Sequence, residues 1–180
     1  MNTRRFSGDI ERLRSEERIA RLELDRVVKL SLEGLQADSM LDIGTGSGLF
    51  AEAFAARGLR VVGVDVREDM LEAARQYVPQ GDFKQGVMEA LPFGEKTFDL
   101  AFMGMVLHEA DDLVTALNES RRVAKYRLVV LEWPYEQGEF GPPLEHRLRS
   151  EEITRAAGEA GYTKLEEIPL THLRLYRLGV

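Results

Sequence analysis

Hydrophobic and polar positions alternate along the chain in blocks that predict helices and strands in turn. Residues Asp9 to Ser31 contain no Gly or Pro and are rich in Arg, Glu and Leu, which predicts one helix. Ile10, Leu13, Ala20, Leu24, Val27 and Val28 give it an approximate apolar stripe. The short apolar run Met40–Ile43 enters a glycine-rich turn, and the alanine-rich stretch Leu49–Arg57 follows as a helix that Gly58 can stop. Arg60–Asp65 is a β-branched run of the kind found in parallel strands covered on both faces. Glu68–Tyr77 reads as a helix, Asp82–Val87 as a third strand, Thr97–Met103 as a fourth and Arg127–Leu131 as a fifth. Asp111 or Asp112 can cap a helix running to Val123, and Ser150 can cap one that Gly161 ends. Lys164–Ile168 and His172–Arg177 are separated by three residues, which predicts an antiparallel hairpin. The pattern therefore predicts an α/β fold: a doubly wound, mostly parallel sheet ending in an antiparallel strand, with an N-terminal helical segment. We read one domain over 1–180, with a helical cap at 1–35 and the sheet core at 36–180. The stretch Glu132–Pro143 is long for a simple connection, and such loops are more often functional.

Composition narrows the chemistry. The chain has 180 residues, is 44% hydrophobic and 31% charged, and contains no cysteine. Thiolate metal sites, disulfides and cysteine nucleophiles are therefore excluded. No uncharged run reaches the length of a membrane span, and no secretory core follows the basic start, so the expected location is the cytoplasm without membrane attachment. The net charge of −7 argues against nucleic acid as a partner. Arg4, Arg5, Arg12, Arg14, Arg18 and Arg21 form an arginine-rich stretch, but Glu11, Glu16, Glu17 and Glu23 interrupt it. That spacing predicts ion-paired, solvated helix faces. Nothing in the pattern specifies an oligomeric state.

A strand, a glycine turn and a helix start together make a place for polar ligand groups, because glycine lets the backbone approach closely and the exposed amides face the ligand. Here the spacing is Asp42-x-Gly44-x-Gly46-x-Gly48. A dinucleotide fingerprint needs G-x-G-x-x-G, whose third glycine falls at Leu49, and no Gly-Lys-Ser/Thr follows for a Walker loop. Asp65 ends the second strand, where an acid can accept hydrogen bonds from two ribose hydroxyls or cap the next helix.

Three segments in order, LDIGTGSG, VVGVDVREDMLEAAR and GVMEALPFGEKTFDLAFMGMVLHEADD, resemble the class I, seven-stranded, Rossmann-like S-adenosylmethionine-dependent methyltransferases. The likeness covers Met40 to Leu131 and is greatest to the branch acting on small molecules such as quinones and sterols. It implies S-adenosylmethionine as cofactor and a small-molecule methyl acceptor as partner. By this resemblance the backbone of Gly44, Thr45 and Gly46 contacts the methionine end, and Asp42 orders its amino group. Asp65 holds the ribose hydroxyls, and Val66 and Met70 pack against adenine. Relatives carry an Asp at the position of Val87 that bonds the adenine amino group, leaving the Met88 amide for that contact here. One lost hydrogen bond costs about 0.5–1.5 kcal/mol. Met103, at the end of the fourth strand, is implied to lie near the sulfonium.

For catalysis, His108 is the candidate base or acceptor contact, weighed against a turn or core histidine. Glu132-Trp133-Pro134-Tyr135 looks like an amino-methyltransferase motif but follows the fifth strand rather than the fourth. Trp133 and Tyr135 either line an acceptor pocket or pack beneath the long loop, and His146 with Arg147 either meets an anionic acceptor or is solvated. His108, Glu109, Asp111 and Asp112 read as capping residues, so no metal is expected. Two other readings stay open: a non-catalytic S-adenosylmethionine-binding module, and an NAD-dependent oxidoreductase.

Overall fold

The computed structural model describes residues 10–180; Arg4, Arg5 and Asp9 lie outside them. The predicted N-terminal helix is broken into α1 (Ile10–Leu13), α2 (Glu16–Arg21) and α3 (Leu24–Leu32). Local polar groups break it. Ser15 is extended and its hydroxyl accepts from the Arg18 amide, which starts α2 afresh. Glu23 takes left-handed backbone angles (φ 49°) and its carboxylate accepts from the Thr171 hydroxyl at 2.5 Å. The bends let Leu22, Val27 and Val28 bury while α3 stays anchored. Arg127 donates to the carbonyls of Ser31 and Glu33, and Arg177 donates to that of Leu30, so two cations close the C-terminal end of α3.

Seven strands form one sheet in the order β3-β2-β1-β4-β5-β7-β6. They are β1 (Ser39–Ile43), β2 (Arg60–Asp65), β3 (Asp82–Gln85), β4 (Phe98–Gly104), β5 (Ala124–Glu132), β6 (Lys164–Pro169) and β7 (Arg174–Gly179). The first five pair in parallel, and β7 runs antiparallel between β5 and β6. The helices between them are α4 (Leu49–Ala55), α5 (Glu68–Tyr77), α6 (Leu113–Val123) and α7 (Ser150–Glu159). One apolar layer joins the sheet to α3, α4 and α5 through Phe50, Phe54, Leu71 and Val28. The other joins it to α6 and α7 through Leu117, Ile153 and Ala157. β1 and β4 are neighbours in the sheet but not in sequence, which opens a crevice beyond their C-terminal ends.

Several predicted boundaries move. β3 stops at Gln85 rather than Val87, because Val87 bridges to Ala90 in a turn of its own. β5 starts at Ala124 directly from α6, and β7 starts at Arg174 because Leu170 and Leu173 close the hairpin turn. Asp112 caps α6 as predicted, accepting from the Thr115 amide at 2.7 Å. Ser150 is not a cap: Glu152 reaches back to the Arg149 amide at 2.8 Å, while the Ser150 hydroxyl meets Tyr176. At the far end of the strands Asp99 accepts from the amides of Asp38 and Ser39, the Ser39 hydroxyl and Lys125. Burial opposes its ionisation, but Lys125, Ser39 and Asp38 outweigh it and hold the carboxyl down at about 2.

Candidate functional site

The glycine turn is wired to β2. Gly44, Gly46 and Gly48 all have left-handed φ, at 69°, 53° and 76°. The amides of Gly44 and Thr45 donate to the Val64 carbonyl at 2.8 and 2.9 Å. A Cβ on Gly44 would lie 2.4 Å from Val106, so no larger residue fits there. Asp65 does more than face a ligand: Oδ2 accepts from the Gly46 amide at 2.8 Å and Oδ1 from the Arg67 amide at 2.9 Å. A carboxylate has about four lone-pair directions, so capacity for ribose hydroxyls remains. Burial raises the Asp65 pKa despite these amides. Beneath it, Asp42 accepts from the Thr45 hydroxyl at 2.8 Å. Burial pushes Asp42 up to about 7, with the Thr45 bond opposing and the Asp65 charge adding.

These elements surround an open cleft at the crevice. Of the sequence-predicted residues, Gly44, Asp65, Val66, Val87 and Met88 line it. Val66 and Val87 are among the few exposed large apolar side chains described, and both belong to this cleft. Asp42 and Thr45 are buried behind the turn, and Gly46 sits in its backbone, covered by Leu13. Met70 and Met103 are fully buried core side chains. Val106, Glu89 and Glu109 also line the cleft and had no sequence signal beyond proximity to the motifs.

His108 lies in a 3₁₀ turn, Leu107–Glu109, just after β4. Its Nδ1 is 2.9 and 3.1 Å from the two carboxylate oxygens of Glu132, the last residue of β5. The His108 amide also donates to Glu132, and both residues are buried. Sequence reasoning missed Glu132 in this role; its one signal is an acid ending the buried run Leu128–Leu131. Met105, between β4 and this turn, holds a left-handed φ of 58° and donates its amide to the Leu131 carbonyl.

His108 is not among the residues lining the cleft, and the other acceptor-side candidates do not join it either. Trp133 is buried beneath the loop, where a Cβ on Gly141 would stand 2.6 Å from its ring. Arg149 stacks over the Tyr135 ring at 3.8 Å, and His146 is half-buried in a short turn, Leu144–His146. Arg147 is neither solvated nor presented to a ligand. It is buried and donates to the carbonyls of Pro134, Glu136, Phe140 and Pro142. The predicted solvated arginine stretch also differs: Arg21 pairs with Glu17 as expected, but Arg14 crosses to Glu52 on α4. Among the described residues no group of three or more His, Asp or Glu side chains is placed to hold a metal, and no helix is long and apolar enough to cross a membrane.

Strand order 3-2-1-4-5-7-6, a left-handed glycine turn and an acid closing β2 define a Rossmann-like nucleoside-binding domain of the seven-stranded type. Residues 41–127 match the family described as "Methyltransferase domain". An uncharacterised methyltransferase of Synechocystis sp. is 36% identical over 129 residues, covering 67% of this chain and 60% of that protein. A demethylmenaquinone methyltransferase of Chlorobaculum tepidum is 34% identical over 95 residues, covering 52% of this chain and 39% of its own. The solved structure of a SAM-dependent methyltransferase from Aquifex aeolicus superposes with a TM-score of 0.83 at 23% identity, covering 95% of this chain and 96% of that one. The chain spans less than two thirds of the length of these curated relatives. Residues 41–127 are thus similar to methyltransferase domains, and the Aquifex aeolicus protein shares the fold of nearly the whole chain.

Proposed function

We propose that the cleft binds S-adenosylmethionine and that the protein transfers its methyl group to a small-molecule acceptor. The observation that carries this reading is the Asp65 carboxylate, bonded to the Gly46 amide at the mouth of an open cleft. The residues present fit the cofactor. Gly44 keeps the turn free of a Cβ, Asp65 has remaining acceptor capacity, and Val66 and Val87 offer apolar faces for a base. In this reading the Met88 amide takes the adenine edge that a side chain at position 87 does not. Gly44, Thr45 and Gly46 hold the methionine end, with Asp42 ordering the turn through Thr45. Met70 and Met103 act by packing behind the site rather than by touching it.

When bound, the cofactor supplies a methyl carbon activated by sulfonium. The protein's task is then to align an acceptor atom with that carbon and to exclude water, and alignment alone can supply several kcal/mol. His108 donates Nδ1–H to Glu132, and an imidazole held in this way is the candidate to take the acceptor's proton. Helix α1 and the residue after it form the wall over the glycine turn, through Leu13 against Gly46 and Arg14 against Ser47. The acceptor is a small molecule, in keeping with the acidic net charge of −7 and with the named demethylmenaquinone relative. Incubation with methyl-labelled S-adenosylmethionine and a panel of phenols, quinols, amines and carboxylic acids tests this. Label should pass to at least one acceptor in a His108-dependent manner. Cofactor binding without transfer to any of them would favour a binding module instead.

A further inference from the structure

The segment over the site carries Arg14 before α2, and Arg18 and Arg21 within it. Arg14 pairs with Glu52, donates to the Ser47 carbonyl and lies 3.3 Å over the Tyr77 ring. Arg21 pairs with Glu17 at 2.8 Å and lies 3.2 Å over the Phe140 ring. Arg18, between them, pairs with no carboxylate among the described residues. Its Nε is buried without a hydrogen-bond partner, and Nη2 has only the Met105 sulfur, at 4.0 Å. Burial, then the charges of Arg12 and Arg21, push its pKa down. Thioether sulfur is a weak acceptor, so this guanidinium is desolvated with little in return.

Its position gives the cost a use. Met105 directly follows β4, and Gly104 before it ends that strand at the crevice. Ser47, in the glycine turn, holds the other described buried side-chain oxygen or nitrogen without a partner, its Oγ. Arg14, just before the break at Ser15, bonds the Ser47 backbone. The seam between α2, the glycine turn and the end of β4 thus holds two unsatisfied polar groups, one of them a cation.

From this geometry we infer that Arg18 is the receptor for a carboxylate carried by a ligand of the site. A guanidinium grips a carboxylate with two parallel hydrogen bonds, and the gain is largest where water is excluded. The inference rests on the proposed function, under which two ligands can bring the group: the amino-acid end of the methyl donor, or an anionic acceptor.

Calorimetric titration of the wild type, Arg18→Met and Arg18→Lys with S-adenosylhomocysteine and 5′-methylthioadenosine tests it, since the second probe lacks the carboxylate. If the donor supplies the group, Arg18→Met weakens S-adenosylhomocysteine binding by about ten- to a hundredfold and leaves 5′-methylthioadenosine unchanged, while Arg18→Lys recovers part. If the acceptor supplies it, both nucleosides bind all three proteins alike. Benzoate or malonate then binds the wild type saturated with S-adenosylhomocysteine, but not Arg18→Met. Equal binding of every probe to wild type and Arg18→Met overturns the inference. So does a fall in melting temperature with equal loss of both nucleosides, which marks a structural role. Failure of the wild type to bind either nucleoside would overturn the proposed function itself, and this inference with it.

Discussion

Glu132 holds His108 from two sides: its carboxylate meets the imidazole Nδ1 at 2.9 Å and the His108 backbone amide at 3.1 Å. One acid therefore sets both the ring's tautomer and the turn that carries it. The pair joins the ends of β4 and β5, which are adjacent only in the folded sheet. Replacing Glu132 by Gln keeps the shape but removes the charge that stabilises an imidazolium. We expect Glu132→Gln to lower kcat by about 10²–10⁴-fold while cofactor affinity stays within about threefold. Steady-state kinetics across pH, with calorimetry for the cofactor, checks this.

Asp65 ties the glycine turn to β2 before any ligand arrives. Asp65→Ala leaves the Gly46 and Arg67 amides without their acceptor and removes the ribose contact. S-adenosylhomocysteine affinity should fall by at least about tenfold, from the loss of charge-assisted hydrogen bonds worth about 1.5–3 kcal/mol. Titration calorimetry on the purified variant measures it.

Asp42 works against the stability of the free protein. Its folded pKa, about 7, stands above the ordinary value of 3.8, so the fold favours the protonated carboxyl. The sign follows directly: stability declines as pH rises from about 4 to 7 and is level above that. Asp42→Asn removes the charge while keeping an acceptor for Thr45. Its melting temperature without ligand should exceed wild type by roughly 2–8 °C at pH 8, and the gain should shrink toward pH 4. Thermal denaturation over that pH range tests the sign.

Asp99 behaves oppositely. Its pKa, held at about 2, lies below 3.8, so it contributes stability above pH 4 that is lost as pH falls toward 2. Asp99→Asn should cost about 1.5–3 kcal/mol at pH 7 and much less near pH 2, by urea denaturation. Cofactor binding should be untouched, because Asp99 lies at the opposite end of the strands from the cleft.

Arg147 braces the loop after β5 through four carbonyls. Arg147→Met strips those bonds, and Arg147→Lys restores few, since an ammonium lacks the planar fork. Both variants should be cut faster than wild type by a glutamate-specific protease at Glu136 and Glu139, which are exposed. Gel analysis of a digestion time course shows the difference.

Much of the fold was legible because its signals are local. A buried parallel strand such as Arg60–Asp65 needs β-branched residues throughout, and a left-handed turn needs Gly44, Gly46 and Gly48. Asp65 was legible from its place at the end of the second strand, whereas Val66, Val87 and Met88 came only from the resemblance to methyltransferases. What stayed hidden depends on contacts distant in sequence. No Gly or Pro marks the breaks at Ser15 and Glu23; a distant partner, Thr171, helps hold the second. Glu132 meets His108 only because β5 lies beside β4, and Arg147 serves four carbonyls that have no side-chain signature. Arg18 looked like one more solvated arginine until the packing of α2 removed its water.

The crevice beyond β1, β2 and β4 is, in the proposed reading, a site for S-adenosylmethionine rather than a dinucleotide. Titration calorimetry of the purified protein with S-adenosylhomocysteine and, separately, NADH tests it most directly. We expect saturable one-to-one binding of S-adenosylhomocysteine, weakened at least about tenfold by Asp65→Ala, and no binding of NADH. Saturable NADH binding with no heat from S-adenosylhomocysteine would contradict it.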